Sequence, residues 1–187
     1  MNSSDEPRSC LKSALRLQDF CQILTVFSAL PGGKYVIFNE SARALFDTSA
    51  VDGILPLNEY PIWSKRDPFG RVYYGVSHFW GMDNDIDENT DLSWLEWDGN
   101  EIHIDGDDMM SVFSKTVGIA KAWAEQTERE FAGERFVIFA AFDDGSELIE
   151  GPEPYYGFTM RFWKLREGQG MNENIDSDQP LIKWIIA

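Results

Sequence analysis

Residues 107 to 142 constrain the fold more than any other part of the chain. Met109, Val112, Phe113, Thr116, Val117, Ala120, Trp123, Ala124, Thr127 and Phe131 recur at three- and four-residue spacing, the period of one face of an α-helix. Asp107 or Asp108 can cap this helix, and Gly133 can end it. "RFVIFAAF" follows at once. A near-continuous apolar run of that length is the pattern of a central strand covered on both faces. A long amphipathic helix joined directly to a central strand calls for helices layered on a sheet.

The other segments fit that frame. "PRSCLKSALRLQDFCQILTVFSAL" carries Cys10, Ala14, Leu17, Cys21 and Leu24 at helical spacing, with Pro31-Gly32-Gly33 behind it. It reads as a second long amphipathic helix. "KYVIF", "RVYYGVSHFW", "YYGFTMRFWKL" and "LIKWII" read as strands, several with alternating faces. "SWLEW" and "EIHI" flank Asp98-Gly99, a dipeptide that favours a two-residue hairpin turn. That hairpin would set Leu95 opposite Ile102 and Glu96 opposite Glu101. Like charges face to face are destabilising, so the pairing needs a bulge or something positive beside it. Residues 39 to 70 read as mostly loop with one short helix. The expectation is one α+β domain over residues 1–187. It has a mainly antiparallel sheet of five to seven strands with two long amphipathic helices packed on it.

Charge narrows the function. The 187 residues carry 32 acids against 16 Lys and Arg, a net charge of -16. Yet 43% of the chain is hydrophobic and 14% aromatic, which is too apolar for a disordered chain. The acidity therefore describes a surface, one that repels nucleic acid and anionic lipid and attracts basic proteins. Neither nucleic acid nor a membrane is expected as a partner. The opening "MNSSDEPRSC" has two acids before its first base, unlike a signal peptide. Cys10 and Cys21 would lie roughly 16 Å apart along one helix, too far to pair. Free thiols fit a reducing, cytoplasmic setting.

The acids are concentrated. "GMDNDIDENTDLSWLEWDGNEIHIDGDDMM", residues 81 to 110, holds eleven carboxylates and no Lys or Arg. Asp83, Asp85 and Asp87 match the first ligands of a calcium loop, but Glu88 stands where Gly is required and Trp94 where the bidentate Glu belongs. The chain's two histidines, His78 and His103, are too few for a zinc site without a cysteine pair. "GVSHF" lacks the second Gly of a nucleophile elbow. "PGGKYV" lacks the first Gly and the hydroxyl residue of a phosphate loop. No catalytic residue, metal site or cofactor is expected.

Two alternatives keep some support. A small enzyme of glycoside-hydrolase or metal-dependent hydrolase type could use the carboxylates between Trp94 and Glu101. A mimic of DNA's charge could occupy a nucleic-acid-binding protein. The reading that uses the whole stretch is a docking surface for a basic protein partner. Asp83, Asp85, Asp87, Glu88 and Asp91 would steer encounter, and Trp94, Glu96, Glu101, Asp105 and Asp107 would form the close contacts. In general character this resembles the acidic immunity proteins with which bacteria neutralise nuclease toxins. The likeness is one of charge and size, with no shared motif.

Overall fold

The computed structural model describes residues 35–46, 48–76, 79, 86–144, 156–167 and 179–186. In chain order they form β1 (Tyr35–Phe38), α1 (Glu40–Leu45), a 3-10 turn (Thr48–Gly53), β2 (Trp63–Arg66), β3 (Val72–Gly75), α2 (Leu92–Gly99), β4 (Ile102–Gly106), α3 (Met109–Glu130), β5 (Phe136–Asp143), β6 (Tyr156–Lys164) and β7 (Leu181–Ile186). The fold is α+β. Five strands make one antiparallel sheet in the order β1-β7-β5-β6-β4, and β2 pairs with β3 in a separate hairpin. The segment read as a first long helix, residues 8–30, lies outside the described residues, as does His78.

The helix α3 forms where its stripe predicts. Asp108 caps it by accepting from Ser111 N. Val112, Phe113, Thr116, Val117, Ala120, Trp123, Ala124 and Thr127 are all buried. They meet the sheet face built by Ile102 and Ile104 of β4, Phe136, Ile138, Ala140 and Phe142 of β5, and Phe158, Met160 and Phe162 of β6. Phe46 closes one end, stacked on Phe113 at 4.4 Å. Each large side chain in such a core contributes about 1.5–3 kcal/mol. β5 is central in the sheet, and Phe136, Val137 and Ile138 are buried in succession. The apolar run is the consequence of that position.

Residues 39–70 hold more structure than their polar, Gly- and Pro-rich composition suggests: α1, the 3-10 turn and β2. Side chains of α3 tie this segment down. Lys121 Nζ donates to the carbonyls of Val51, Asp52 and Ile54. Trp123 Nε1 donates to Tyr60 O at 2.6 Å. The Gln126 carboxamide pairs with both the N–H and the C=O of Ile62, at 2.8 and 2.7 Å. The crossing is close enough that Leu57 N donates to the carbonyl of Gly118, inside the helix. A Cβ at Gly118 would stand 3.0 Å from Leu55 O and 3.1 Å from Leu57 Cβ. A larger residue there would need the crossing segment to give by a few tenths of an ångström.

The Asp98-Gly99 hairpin does not form. Residues 92–99 are a helix, and Gly99 is its last residue. Asp91 caps it, its side chain accepting from Ser93 N at 2.9 Å and Trp94 N at 3.1 Å. The strand β4 instead pairs with β6, Ile102 opposite Met160 and Asp105 opposite Gly157. Glu96 and Glu101 are therefore not cross-strand neighbours. The conflict between them disappears because the helix points them to different places.

Candidate functional site

The helix α2 lies between β3 and the end of β6, and it buries Leu92 against Tyr73 and Ile86 and, beside it, a run of polar side chains. Ser93, Glu96 and Asn100 are each fully buried. Their spacing of three and four residues puts them on one helical face. Asn100 Oδ1 accepts from Val76 N at 2.9 Å, and its Nδ2 donates to Tyr74 O and Phe162 O at 3.0 and 2.9 Å. Glu96 accepts from Tyr74 N at 2.9 Å and Lys164 N at 2.7 Å. Ser93 Oγ donates to Lys164 O at 2.8 Å. These are main-chain groups that a neighbouring strand would otherwise satisfy. Side chains of α2 take the place of that strand.

Arg166 completes the seam. Its guanidinium grips Glu96 with two bonds, Nη2 to Oε1 at 2.6 Å and Nη1 to Oε2 at 2.9 Å. Nη2 also donates to Val72 O. Burial pushes the Glu96 carboxyl above its ordinary value, while Arg166 and the N–H groups of Lys164 and Tyr74 pull it back. The four donors face the two oxygens in pairs, so this geometry holds the ionised form. Glu96 was expected on the partner-facing surface. It is internal, wholly occupied, and has no exposed face to offer a partner or a substrate.

A second arginine holds the turn before α2. Asp67 Oδ1 accepts from the N–H groups of Phe69 and Arg71, and its Oδ2 takes Arg71 Nε at 2.6 Å. The other end of Arg71 donates to the carbonyls of Asp87, Glu88 and Thr90. Burial alone would raise the Asp67 carboxyl. The Arg71 bonds and the Phe69 N–H outweigh it and hold the group below its ordinary value of 3.8. Stability from this group is present above that value and is lost as the pH falls through the lower, folded-state value. Denaturant titrations from neutral pH into acid should show Asp67→Asn with a flatter acid limb than the wild type. Parallel limbs would show that Asp67 does not govern it.

Outside this frame lies a surface built from the remaining candidates. Trp94 is 52% exposed and stacks on Trp97, centroids 5.0 Å apart and planes 25° apart. The Arg161 guanidinium sits 3.7 Å from the Trp97 ring centroid and pairs with Glu101. Glu101 also lies 3.1 Å from His103 Nε2. Glu101, His103 and Asp105 alternate with the buried Ile102 and Ile104, so they share the sheet face away from the core. Asp87, Glu88, Asp91, Asp98, Asp105 and Asp107 are all exposed. Asp83 and Asp85 lie outside the described residues.

Comparison with protein-family models, curated proteins and solved structures finds no match. The residues must carry the functional reading alone. Among the described residues, no group of three or more His, Cys, Asp and Glu is placed to hold a metal ion. No described helix is long and apolar enough to cross a membrane. A cleft of about 270 Å³ is lined by Lys65, Arg66, Asp67, Pro68, Tyr73 and Ile86, and its carboxylate is the one already held by Arg71.

Sequence reasoning grouped Trp94, Glu101, Asp105 and the Asp87–Asp91 turn, which are neighbours along the chain. It missed Arg71, Arg161 and Arg166. Each is distant in sequence, and each supplies charge to the stretch that has no base of its own.

Proposed function

We propose that the chain is an acidic protein-binding inhibitor, of immunity-protein type, that neutralises a basic nuclease-like toxin by direct binding. The observation that carries this reading is Trp94. A large aromatic ring stands half out of the surface, yet it is already braced on Trp97. Interface hot spots are rich in such rings, because a braced side chain loses little freedom on binding. Exposed carboxylates at Asp87, Glu88, Asp91, Asp98 and Asp105 surround the same part of the chain, where they would steer a cationic partner.

The test is capture of a basic protein from the source cell at low salt, followed by kinetics with the purified partner. Trp94→Ala should weaken binding by about 2–4 kcal/mol, chiefly through faster dissociation. Neutralising Asp87→Asn, Glu88→Gln and Asp91→Asn together should slow association, and added salt should slow the wild type in the same way. A partner whose binding ignores both salt and these substitutions would sink the reading. So would turnover of a small substrate that disappears in Glu101→Gln.

A further inference from the structure

The outer edge of the large sheet, unpaired among the described residues, bears on how a partner would dock, given the protein-binding reading above. β4 is the last strand, paired only with β6 among the described residues. Which of its main-chain groups face outward follows from the neighbouring contacts. Phe162 O and the N–H and C=O of Lys164 point toward α2, on the β4 side of β6. Leu165 N points the other way, to Arg135 O beside β5. Main-chain groups alternate sides along a strand, so Met160, Phe158 and Tyr156 also point toward β4. Their partners Ile102, Ile104 and Gly106 therefore hold the ladder. The N–H and C=O groups of His103 and Asp105 face away from the sheet, on an edge to which no other described strand pairs.

We propose that this edge accepts an extended, basic segment of the partner as an additional antiparallel strand. The side chains of β4 set the pattern of the guest. One face carries Glu101, His103 and Asp105, the other Ile102 and Ile104. A strand alternating Lys or Arg with apolar residues matches both, its bases beside the exposed Asp105 and beside Glu101, the carboxylate that Arg161 already shares, and its apolar groups extending the core face. A second copy of this chain does not fit. Antiparallel pairing of β4 with itself about His103 would set Glu101 against Asp105, in a molecule of net charge -16.

The probe is a short peptide of alternating lysine and valine, compared at low salt with one of alternating glutamate and valine. Amide hydrogen exchange read by NMR should show the His103 and Asp105 N–H groups unprotected in the free protein and protected only with the basic peptide. His103→Pro removes an outward N–H and leaves the β6 ladder intact. It should bind the peptide about tenfold more weakly, the loss of one hydrogen bond, with unchanged thermal stability. If this variant does not fold, the exchange pattern of the wild type decides. Protection of these two amides in the free protein, no binding of the basic peptide, or binding without their protection would each overturn the edge mode. Binding that is lost in Trp94→Ala but leaves both amides unprotected would overturn it while sparing the docking surface.

Discussion

Glu96→Gln should lower the unfolding free energy by about 3–5 kcal/mol, the cost of leaving a buried charge without its partner. The substitution keeps the size and shape of the side chain. It replaces one acceptor oxygen with an NH2 group that must face two donors, whichever way the amide turns. On one side those donors are Tyr74 N and Arg166 Nη2, on the other Lys164 N and Arg166 Nη1. Arg166, whose side chain is only 14% exposed, meanwhile keeps a charge without its partner. Guanidinium unfolding curves of wild type and variant measure the difference directly. Replacing Glu96 and Arg166 together by leucine should cost less than the sum of the two single replacements, because the double variant strands no charge. A loss below about 1 kcal/mol for Glu96→Gln would mean that solvent reaches the pair and that the seam does not hold α2 in place.

The second large effect belongs to Trp123. Its ring is 1% exposed and lies 5.6 Å from that of Phe162, and its Nε1 donates to Tyr60 O. Trp123→Ala removes core volume at the helix centre together with one tie to the 51–62 segment. The expected loss is about 3–5 kcal/mol. Trp123→Phe separates the two contributions, since it keeps much of the packing and forfeits the hydrogen bond, worth about 1 kcal/mol net. Denaturant midpoints of the three proteins should fall in the order wild type, Phe, Ala. Equal midpoints for the Phe and Ala variants would show that packing against Phe162 matters little.

The parts of the fold that could be read from sequence are those in which apolar residues keep one period and local signals agree. α3 shows a stripe, a cap and a stop, and β5 an uninterrupted apolar run. β6 alternates through Tyr156, Phe158, Met160 and Phe162, and β7 is a short apolar run. α2 failed this test for a physical reason. Besides Leu92 it buries Ser93, Glu96 and, at its C-terminal cap, Asn100, polar residues that a search for apolar periodicity assigns to solvent. What makes their burial tolerable is Arg166, 70 residues from Glu96, and the edges of two strands that do not touch α2 in sequence. The Asp98-Gly99 pair then pointed to a hairpin, and the true local signal, Asp91 as a helix cap, was counted only as one more acid.

The same blindness shaped the candidate site. Eleven acids without a base suggested a surface of uniform negative charge. Arg166 takes Glu96, Arg161 takes Glu101, and Arg71 holds the main chain of the Asp87–Thr90 turn. Among the described residues of that stretch, what is left exposed is a smaller set, Asp87, Glu88, Asp91, Asp98, Asp105, Asp107 and Asp108, beside a braced tryptophan and a strand edge to which no other described strand pairs.

The seam made by Ser93, Glu96 and Asn100 has one more consequence. In an ordinary sheet the bonds between strands belong to the backbone, which every sequence shares, so exchanging one residue for another seldom rewrites them. Here the joint between β3 and β6 is spelled in side chains. A single codon can loosen it, tighten it or change its angle, without an insertion and without disturbing either strand. The hairpin β2–β3, and with it the loop that Arg71 ties to the acidic turn, is therefore joined to the large sheet in part through side chains that a point change can replace. Point changes in that joint would act on the pose of the acidic turn from behind, leaving its exposed carboxylates as they are.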